Sequence, residues 1–382
     1  MQDGSGEFAA AYDAMMDRVL ATLEATGETF PYFADPDTGA WTTTPDGNWC
    51  GGHWIEMLRM ASDHLGGEPS QRLAAAADAH TERMAAAMPR ASMFCGMNFH
   101  YAGFRGYDRT GDRSLFGIGL AGADAMVQEY HEGARQIPLG ELGVKGPEQF
   151  RGPASDHGPP GSQIAAVDNV YTALPVLWRA YKETGDPAFR DVAVSHADRH
   201  LDWFLRDDGS TWHHAVFDPD TGALERQYNE LARADETCWA RGMGWHVAGL
   251  CRAYEETGAV RFRDALRHSM DYYRDRSPAD GVPYWDFEVA GSEPRDTSTA
   301  ALTAYGLLDL DPTDESVADL RSYGESVLRA IIEDYLETDE TAPNYGAVLH
   351  GCFNRPGDYA VDNELIWTNY YVARTLERHY VH

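Results

Sequence analysis

Lysine is nearly absent from this 382-residue chain and occurs only as Lys145 and Lys182. Acidic residues outnumber basic ones by 61 to 31, which gives a formal net charge of −30 at pH 7. Such a charge argues against nucleic acid or an anionic membrane as a partner unless a local basic patch is present. A strongly acidic surface with little lysine is typical of proteins that stay soluble in concentrated salt. We therefore expect a halophilic protein, although a GC-rich genome would also favour arginine over lysine.

Long apolar runs and paired cysteines are absent as well. No window is long and apolar enough to cross a membrane, and the first residues lack the basic start and apolar stretch of a secretory signal. The five cysteines are odd in number and show no C-x-x-C spacing, which predicts free thiols in a reducing compartment. These absences predict a soluble cytoplasmic protein. No linker or change of composition divides residues 1–382, so we expect a single domain.

Several motifs of cofactor and nucleophile chemistry are also missing. The chain has no Gly-rich phosphate loop, no G-x-S-x-G elbow and no credible Cys–His nucleophile pair, so we expect no cofactor. His196 and His200, four residues apart on one predicted helix, have the spacing of a metal-binding pair. They stand among charged residues, which favours a solvated helix face instead. We therefore predict no metal site.

A segment of the chain repeats itself at a fixed distance. The sequence A-Y-K-E-T-G at 180–185 returns 73 residues later as A-Y-E-E-T-G at 253–258, which indicates a repeated helical pair. Positions at equal distances before the two Thr-Gly pairs are then equivalent. Asp168 and Arg241 each lie 17 residues before the glycine of their unit. A carboxylate and a guanidinium are therefore predicted at matching places on successive units, at one mouth of a ring.

Helical periodicity extends along most of the chain and predicts an all-α fold. Some predicted helices end at Thr-Gly or Gly-Gly, where glycine is the favoured C-cap. The other connections are longer and contain extended stretches such as 210–218 and 282–289. Two unlike sets of connections predict a closed α/α toroid with tight turns at one end and long functional loops at the other. An open solenoid is the alternative.

Asp168 stands where a predicted loop becomes an apolar helix, directly before Asn169. One interpretation is an N-cap or first-turn carboxylate that the helix dipole stabilises. The other is a functional acid, which the equivalence with Arg241 and the surrounding aromatic residues favour.

The motif W-A-R-G-M-G-W places Trp239, Arg241 and Trp245 near one helix start. Indole faces stack on sugar rings, and a guanidinium binds a carboxylate through two hydrogen bonds. The same spacing of tryptophans also fits a helix buried in a core. His213, in the extended stretch before this motif, is either a structural hydrogen-bonding residue or a further site residue.

Together with V-D-N at Asp168, S-T-W-H, P-R-D-T-S-T-A-A and I-W-T-N-Y-Y, this motif resembles glycoside hydrolase family 88, the unsaturated glucuronyl hydrolases, and the related unsaturated rhamnogalacturonyl hydrolases. The likeness runs from about Trp49 to the C-terminus. It implies an (α/α)6 barrel with short extended segments in its long loops. It also implies an enzyme that removes the 4,5-unsaturated uronic acid left at the non-reducing end by a polysaccharide lyase.

In that family, cleavage begins with hydration of the double bond rather than attack on the anomeric carbon. A carboxylic acid protonates C4, and its conjugate base helps water to add at C5. Asp168 is the matching carboxyl group, and this role at neutral pH requires a raised pKa. The residues that the resemblance and its neighbouring motifs place around the substrate are Trp49, His100, Tyr101, Arg151, Asn169, His213, Glu230, Trp239, Arg241 and Trp245.

The chain departs from the family pattern at three polar positions. The motif H-D-x-G-F reads H-Y-A-G-F, so that Tyr101 replaces the second active-site aspartate. The motif W-T-D-G-F-W reads W-C-G-G-H-W, again without the acid, and Glu230 stands near the position of a substrate-contacting histidine. The stretch 140–161, which includes Arg151, is expected to rebuild this part of the site.

Four functions remain open, with hydration of an unsaturated uronyl residue by Asp168 as the leading one. A uronate lyase would use Tyr101 and His100 as its base and acid. A conventional glycosidase would pair Asp168 with a second carboxylate, Glu230 or Asp235. A sugar-binding protein on a decayed hydrolase fold would use none of them for catalysis.

Overall fold

The computed structural model describes residues 5–141 and 161–381. Its α-helices are α1 (Ser5–Thr26), α2 (Gly51–Leu65), α3 (Gly67–Ala87), α4 (Met93–Phe99), α5 (Gly106–Thr110), α6 (Arg113–Glu129), α7 (Asn169–Thr184), α8 (Pro187–Phe204), α9 (Ala240–Thr257), α10 (Val260–Arg276), α11 (Thr297–Asp309), α12 (Ala318–Asp334) and α13 (Ile366–His379). A π-helical segment, His100–Arg105, joins α4 and α5 into one continuous helix.

The strands of the described residues form two small antiparallel sheets within the long connections. They are β1 (Phe30–Ala34), β2 (Trp41–Thr44), β3 (Ile164–Ala166), β4 (His214–Phe217), β5 (Leu224–Tyr228) and β6 (Glu364–Leu365), in the orders β2-β1-β6 and β3-β4-β5. The predicted extended stretch 210–218 thus contains β4. The stretch 282–289 forms isolated bridges at Tyr284 and Asp286 instead of a strand, because it pairs singly with Arg295 and Trp239.

The helices form two concentric rings in the described part of the chain. The inner ring consists of α2, the α4–α5 helix, α7, α9, α11 and α13. The first five of these pack against an outer helix next to them in sequence, and α13 packs against α1. The ring closes where α13 meets α2. There the Tyr370 hydroxyl donates a hydrogen bond of 2.6 Å to Glu56, and His53 lies 3.1 Å from the Tyr371 hydroxyl. The fold is therefore an (α/α)6 barrel, as predicted, and not an open solenoid.

The inner helices all run in the same direction. Each connection that leads into an inner helix lies at one end of the barrel, which we call the mouth, and these connections carry the strands. Short turns occupy the opposite end, where Gly185 and Gly258 terminate α7 and α9 with left-handed φ values of 73° and 62°. The repeat therefore marks equivalent turns. The amino termini of the inner helices meet at the mouth, where their partial positive charge favours an anionic ligand.

Aromatic side chains fill the barrel axis below the mouth. The Tyr101 hydroxyl lies 3.1 Å from that of Tyr171 and 3.0 Å from that of Tyr371. All three side chains are buried, and Tyr370 and Glu56 lie beside them toward the short-turn end. We call Tyr101, Tyr171 and Tyr371 the tyrosine layer.

His196 and His200 do not lie on a solvated face, contrary to the prediction. Both are 0% exposed, and His200 Nε2 lies 2.8 Å from His246 Nδ1. The physical reason is that this stripe of the outer helix α8 faces α7 and α9, whereas Asp202 on the other side reaches solvent. In the described residues, no group of three or more His, Cys, Asp or Glu side chains is arranged to hold a metal ion.

The five cysteines are free and buried, which confirms the predicted free thiols. Within residues 5–141 and 161–381, none of the helices combines the length and the apolar character needed to span a bilayer.

Candidate active site

Asp168 lies between β3 and α7 at the mouth of the barrel. Its neighbour Val167 donates a backbone hydrogen bond of 2.9 Å to the carbonyl of His213, which ties the start of α7 to the beginning of β4. Asp168 occupies the N-cap position, but its side chain makes no capping hydrogen bond. Its Oδ1 atom is buried and has no hydrogen-bond partner among the described residues. The carboxyl group therefore does not cap the helix, and its Oδ1 atom is available for proton transfer.

Burial raises the pKa of Asp168 from 3.8 to about 7, while Arg241 and the backbone of Asp168 act in the opposite direction. Near neutral pH both forms of the carboxyl group are then populated. A group with a pKa close to the working pH donates a proton efficiently and takes one back as the conjugate base. The environment of Asp168 therefore meets the requirement that the sequence comparison implied.

Arg241 is the second residue of α9 and is only 2% exposed. Its Nη1 and Nη2 atoms donate hydrogen bonds of 2.6 Å and 2.7 Å to the carbonyls of Cys352 and Phe353. The guanidinium also lies over the rings of Trp239 and Phe353, with its carbon 4.6 Å and 5.1 Å from their centroids. Arg241 is thus a positive charge that these contacts hold in place, and it acts on the pKa of Asp168.

His213, His214 and Trp239 form a stack on the wall of the mouth. The ring centroids of His213 and His214 are 3.7 Å apart, and His213 lies 4.4 Å from Trp239. Burial, His214 and Arg241 together hold the pKa of His213 well below its usual range. His213 is therefore a neutral imidazole that can exchange hydrogen bonds with a sugar hydroxyl.

Trp49 forms part of the aromatic floor of the mouth and is partly exposed. Its ring is stacked at 6.4 Å with Phe353, and Trp367 lies 4.6 Å away. Trp245, which is buried, contacts Trp49 edge-on at 6.4 Å. A flat indole face with an open side is a suitable platform for a sugar ring. Trp245 supports this platform from below.

The structure places Tyr101 and His100 away from the mouth. Tyr101 is 1% exposed, and burial raises the pKa of its phenol well above the usual range. Burial and the arginines of the short-turn end, Arg105, Arg252, Arg179 and Arg374, hold the pKa of His100 well below its usual range. The two side chains do not form an accessible base and acid at the mouth, which removes the structural basis for elimination by this pair.

Asn169 supports the site from behind. Its side chain is 0% exposed, its amide nitrogen donates to the carbonyl of Ile137, and its Oδ1 accepts a 2.7 Å hydrogen bond from Thr172. These bonds anchor the start of α7 and so position Asp168. Direct contact with a ligand would require them to break.

Two further carboxylates were candidates for a partner of Asp168. Glu230 is partly exposed, lies 3.4 Å from His214 Nδ1, and has its pKa raised by burial. Asp235 is exposed and accepts a 2.8 Å hydrogen bond from the backbone of Asn229. Glu230 is thus the better placed of the two. Arg151 lies outside the described residues.

Asp296, Phe353 and Trp367 belong to the site but were not singled out from the sequence. Asp296 is fully buried at the N-cap of α11, 3.7 Å from Arg241. Its sequence signal, an aspartate followed by Thr-Ser-Thr, indicates only a helix start. Phe353 lies in a long loop without periodicity, so nothing in the sequence indicates that it reaches Arg241.

Comparison with known proteins agrees with this geometry. Residues 161–275 match the profile of Glycosyl Hydrolase Family 88. The unsaturated chondroitin disaccharide hydrolase of Streptococcus pneumoniae is 28% identical over 98% of this chain and 92% of its own length. The unsaturated glucuronyl hydrolase of Bacillus sp. (strain GL1) is 27% identical over 93% of this chain and 92% of its own length. The crystal structure of the glucuronyl hydrolase from Bacillus sp. GL1 superposes with a TM-score of 0.84 at 25% identity and covers 97% of this chain and 96% of that one.

The barrel, the aromatic pocket and these matches define a glycoside-cleaving hydrolase. Within that class, the match to the model of glycoside hydrolase family 88 over residues 161–275 and the full-length similarity to unsaturated glucuronyl hydrolases support membership of that family.

Proposed function

We propose that this enzyme removes a 4,5-unsaturated uronic acid from the non-reducing end of oligosaccharides that a polysaccharide lyase has produced. The observation that carries the proposal is the Asp168 carboxyl group at the mouth, which has a pKa of about 7 and a buried oxygen without a hydrogen-bond partner among the described residues. Two relatives that span nearly the whole chain are named for unsaturated chondroitin disaccharide and unsaturated glucuronyl substrates.

The reaction follows from the two protonation states of Asp168. The protonated carboxyl group gives its proton to C4 of the enol ether, and positive charge develops at C5 and the ring oxygen. A water molecule adds at C5 as the Asp168 carboxylate takes one of its protons. The resulting hemiketal opens at the ring oxygen, and the bond between C1 and the next sugar is then released. Asp168 ends the cycle protonated, as it began.

The surroundings of Asp168 support the binding of a single terminal uronate. The converging helix amino termini favour its carboxylate, and Trp49 offers a face for its ring. The buried tyrosine layer occupies the barrel axis below the mouth. These features together favour removal of one terminal sugar at a time.

A conventional glycosidase with Asp168 and Glu230 is the second candidate, because Glu230 is partly exposed and has a raised pKa. A pair of disaccharides that differ only in the 4,5 double bond distinguishes the hydration mechanism from the conventional glycosidase mechanism. We expect turnover of the unsaturated member alone, since hydration needs the double bond. We also expect Glu230→Gln to retain at least about a third of the wild-type kcat, whereas loss of a general acid or base costs about 10²–10⁴-fold.

The measurement is initial rates on both disaccharides with wild type and Glu230→Gln, with release of the reducing sugar as readout. Cleavage of the saturated disaccharide, abolished by Glu230→Gln, would establish the conventional mechanism and contradict hydration.

Salt is expected to raise kcat/KM for the anionic disaccharide. The net charge of −30 repels the substrate over about 30 Å at 10 mM ionic strength but over only about 3 Å at 1 M. We expect kcat/KM to rise about threefold or more over this range, with kcat changing less. The check is steady-state kinetics in NaCl at constant pH, with the unfolding temperature followed in parallel. A kcat/KM that falls steadily with salt would contradict repulsion and indicate a local basic patch.

A further inference from the structure

We propose that Asp296 is a positioning residue for the reaction: it fixes the Arg241 guanidinium and offsets its charge, so that Asp168 retains its proton in neutral solution. The inference rests on the proposed role of Asp168 as the proton donor. Asp296 itself lies behind Arg241 and is 0% exposed.

Asp296 is held by four hydrogen bonds at the start of α11. Its Oδ1 accepts from the backbone and hydroxyl of Ser298 at 3.1 Å and 2.6 Å and from the backbone of Cys352 at 3.2 Å, and its Oδ2 accepts from Thr299 at 2.9 Å. A buried carboxyl group that accepts only from donors is in the arrangement that suits a carboxylate anion. The negative charge of Asp296 is therefore supported by its surroundings.

Asp296 and Arg241 bind the same loop residue from two sides. Asp296 accepts from the N–H of Cys352, while Arg241 donates to the carbonyl of Cys352. The direct separation of Arg241 Nη1 and Asp296 Oδ2 is 3.7 Å, and Phe353 covers one face of the guanidinium. These contacts hold the guanidinium in one position, from which its charge acts on Asp168.

The charges of the three groups balance only when Asp168 is protonated. Arg241 alone would favour the ionised form of Asp168, and it acts in that direction on the pKa of this carboxyl group. A carboxylate 3.7 Å behind the guanidinium opposes this effect, because the two opposite charges are close together and buried. Neutral Asp168, cationic Arg241 and anionic Asp296 then sum to zero.

Other titratable groups that face these residues are neutral or already paired. Cys352 and Tyr273, which face Asp296 from the loop and from α10, have pKa values raised by burial. His213, which faces Arg241 from the strand side, has its pKa lowered, and Tyr32, which faces Arg241 from β1, has its pKa raised by burial. Arg355, further along the loop, pairs with Glu293 at 3.4 Å. Arg241 is thus the cation that Asp296 contacts among the described residues.

The test is the pH dependence of kcat/KM for Asp296→Asn. Asparagine keeps the shape of the side chain and one acceptor oxygen but removes the charge. We expect the alkaline limb of the profile, which reports ionisation of Asp168, to move to lower pH by about one unit, which is a tenfold change in the protonation equilibrium. Well below the limb, the variant should retain at least about a third of the wild-type value. A purely structural role would lower the rate equally at every pH.

Asp286→Asn is the matched control. Asp286 is also 0% exposed and accepts from Arg233, Thr237 and Glu288, but it has no arginine ion pair within the described residues. Its substitution should leave the alkaline limb in place. Asp296→Ser, which retains a capping hydroxyl and also lacks the charge, replaces Asp296→Asn if the latter does not fold.

A carbon-13 NMR titration of the Asp168 carboxyl group in both proteins separates the two proposals, because it needs no turnover. Suppose that Asp296→Asn is active and that both its Asp168 titration and the alkaline limb of its kcat/KM profile match those of wild type. Only the proposed role of Asp296 would then be overturned. Absence of turnover by wild type, with the Asp168 titration still displaced by Asp296→Asn, would overturn the proposed function and leave the charge coupling standing.

Discussion

Asp168→Asn is expected to lower kcat on an unsaturated uronyl disaccharide by about 10²–10⁴-fold, the range for loss of a general acid and base. Asparagine has nearly the same shape but can neither give a proton to C4 nor take one from water. Because the Asp168 side chain makes no capping hydrogen bond, the substitution removes none from the start of α7. The measurement is single-turnover and steady-state kinetics together with binding of the uncleaved substrate.

The fold of Asp168→Asn should remain intact. The folded-state pKa of Asp168 is raised, so its ionisation opposes folding as the pH rises through about 7. Removing the charge should therefore leave the unfolding temperature above pH 7 equal or higher. Asp235→Asn, which changes an exposed carboxylate, is the control and should stay within about twofold of wild type. Wild-type activity in a folded Asp168→Asn protein would exclude Asp168 from the chemistry.

Acid is expected to unfold this protein at an unusually high pH. Eight buried histidines have pKa values lowered by burial: His53, His80, His100, His196, His200, His213, His214 and His246. The value for His196, for example, falls from 6.5 to about 4. Between the ordinary pKa of 6.5 and the lowered native-state values, the unfolded chain binds more protons than the native state. The contribution of these histidines to stability is therefore complete above pH 6.5 and is lost as the pH falls.

The size of the effect follows from about 1.36 kcal/mol per pKa unit. His196 alone accounts for about 3 kcal/mol at pH 4, and a typical domain has only about 5–15 kcal/mol in total. Six carboxyl groups with raised pKa values act in the opposite sense, fewer than the eight histidines: Asp46, Asp168, Glu230, Glu255, Asp286 and Glu364. We therefore expect cooperative unfolding with a midpoint between pH 6 and 4, measured by circular dichroism and denaturant titration at fixed ionic strength.

Substitution of one histidine tests the cause of this acid lability. His196→Asn should make the free energy of unfolding less dependent on pH between 6.5 and 4, even if it lowers stability at neutral pH. His268→Gln, which changes an exposed histidine, should leave the slope unaltered. A slope that is the same in His196→Asn and wild type would mean that carboxyl groups, and not buried histidines, govern acid unfolding.

The sequence was informative wherever local patterns determine the structure. Apolar periodicity gave the long helices, and the Thr-Gly turns at Gly185 and Gly258 gave the repeat and the polarity of the barrel. The equivalence of Asp168 and Arg241 placed both at starts of inner helices, because hairpins of equal length align their ends. These inferences depend only on interactions between residues that are close together in the sequence.

The rest of the site depends on contacts between distant segments. No local sequence pattern shows that the carbonyls of Cys352 and Phe353 accept hydrogen bonds from Arg241. Nor does a local pattern show that Asp296 lies behind the Arg241 guanidinium. The hydroxyl of Tyr101 meets partners from two other inner helices, so its burial could not be read from the H-Y-A-G-F motif. The charged neighbours of His196 in sequence predict an exposed side chain. The stripe of α8 that contains His196 nevertheless faces the core.

The most direct test of the proposed reaction is the ultraviolet absorbance of the conjugated enol-ether acid. Wild-type enzyme in high salt is mixed with lyase-generated unsaturated disaccharides, with Asp168→Asn as the blank. We predict a steady fall in absorbance that matches the release of reducing sugar, because hydration destroys the double bond before the glycosidic bond is released. Release of reducing sugar with the absorbance retained, or a rise in absorbance on saturated polyuronides, would contradict hydration by Asp168.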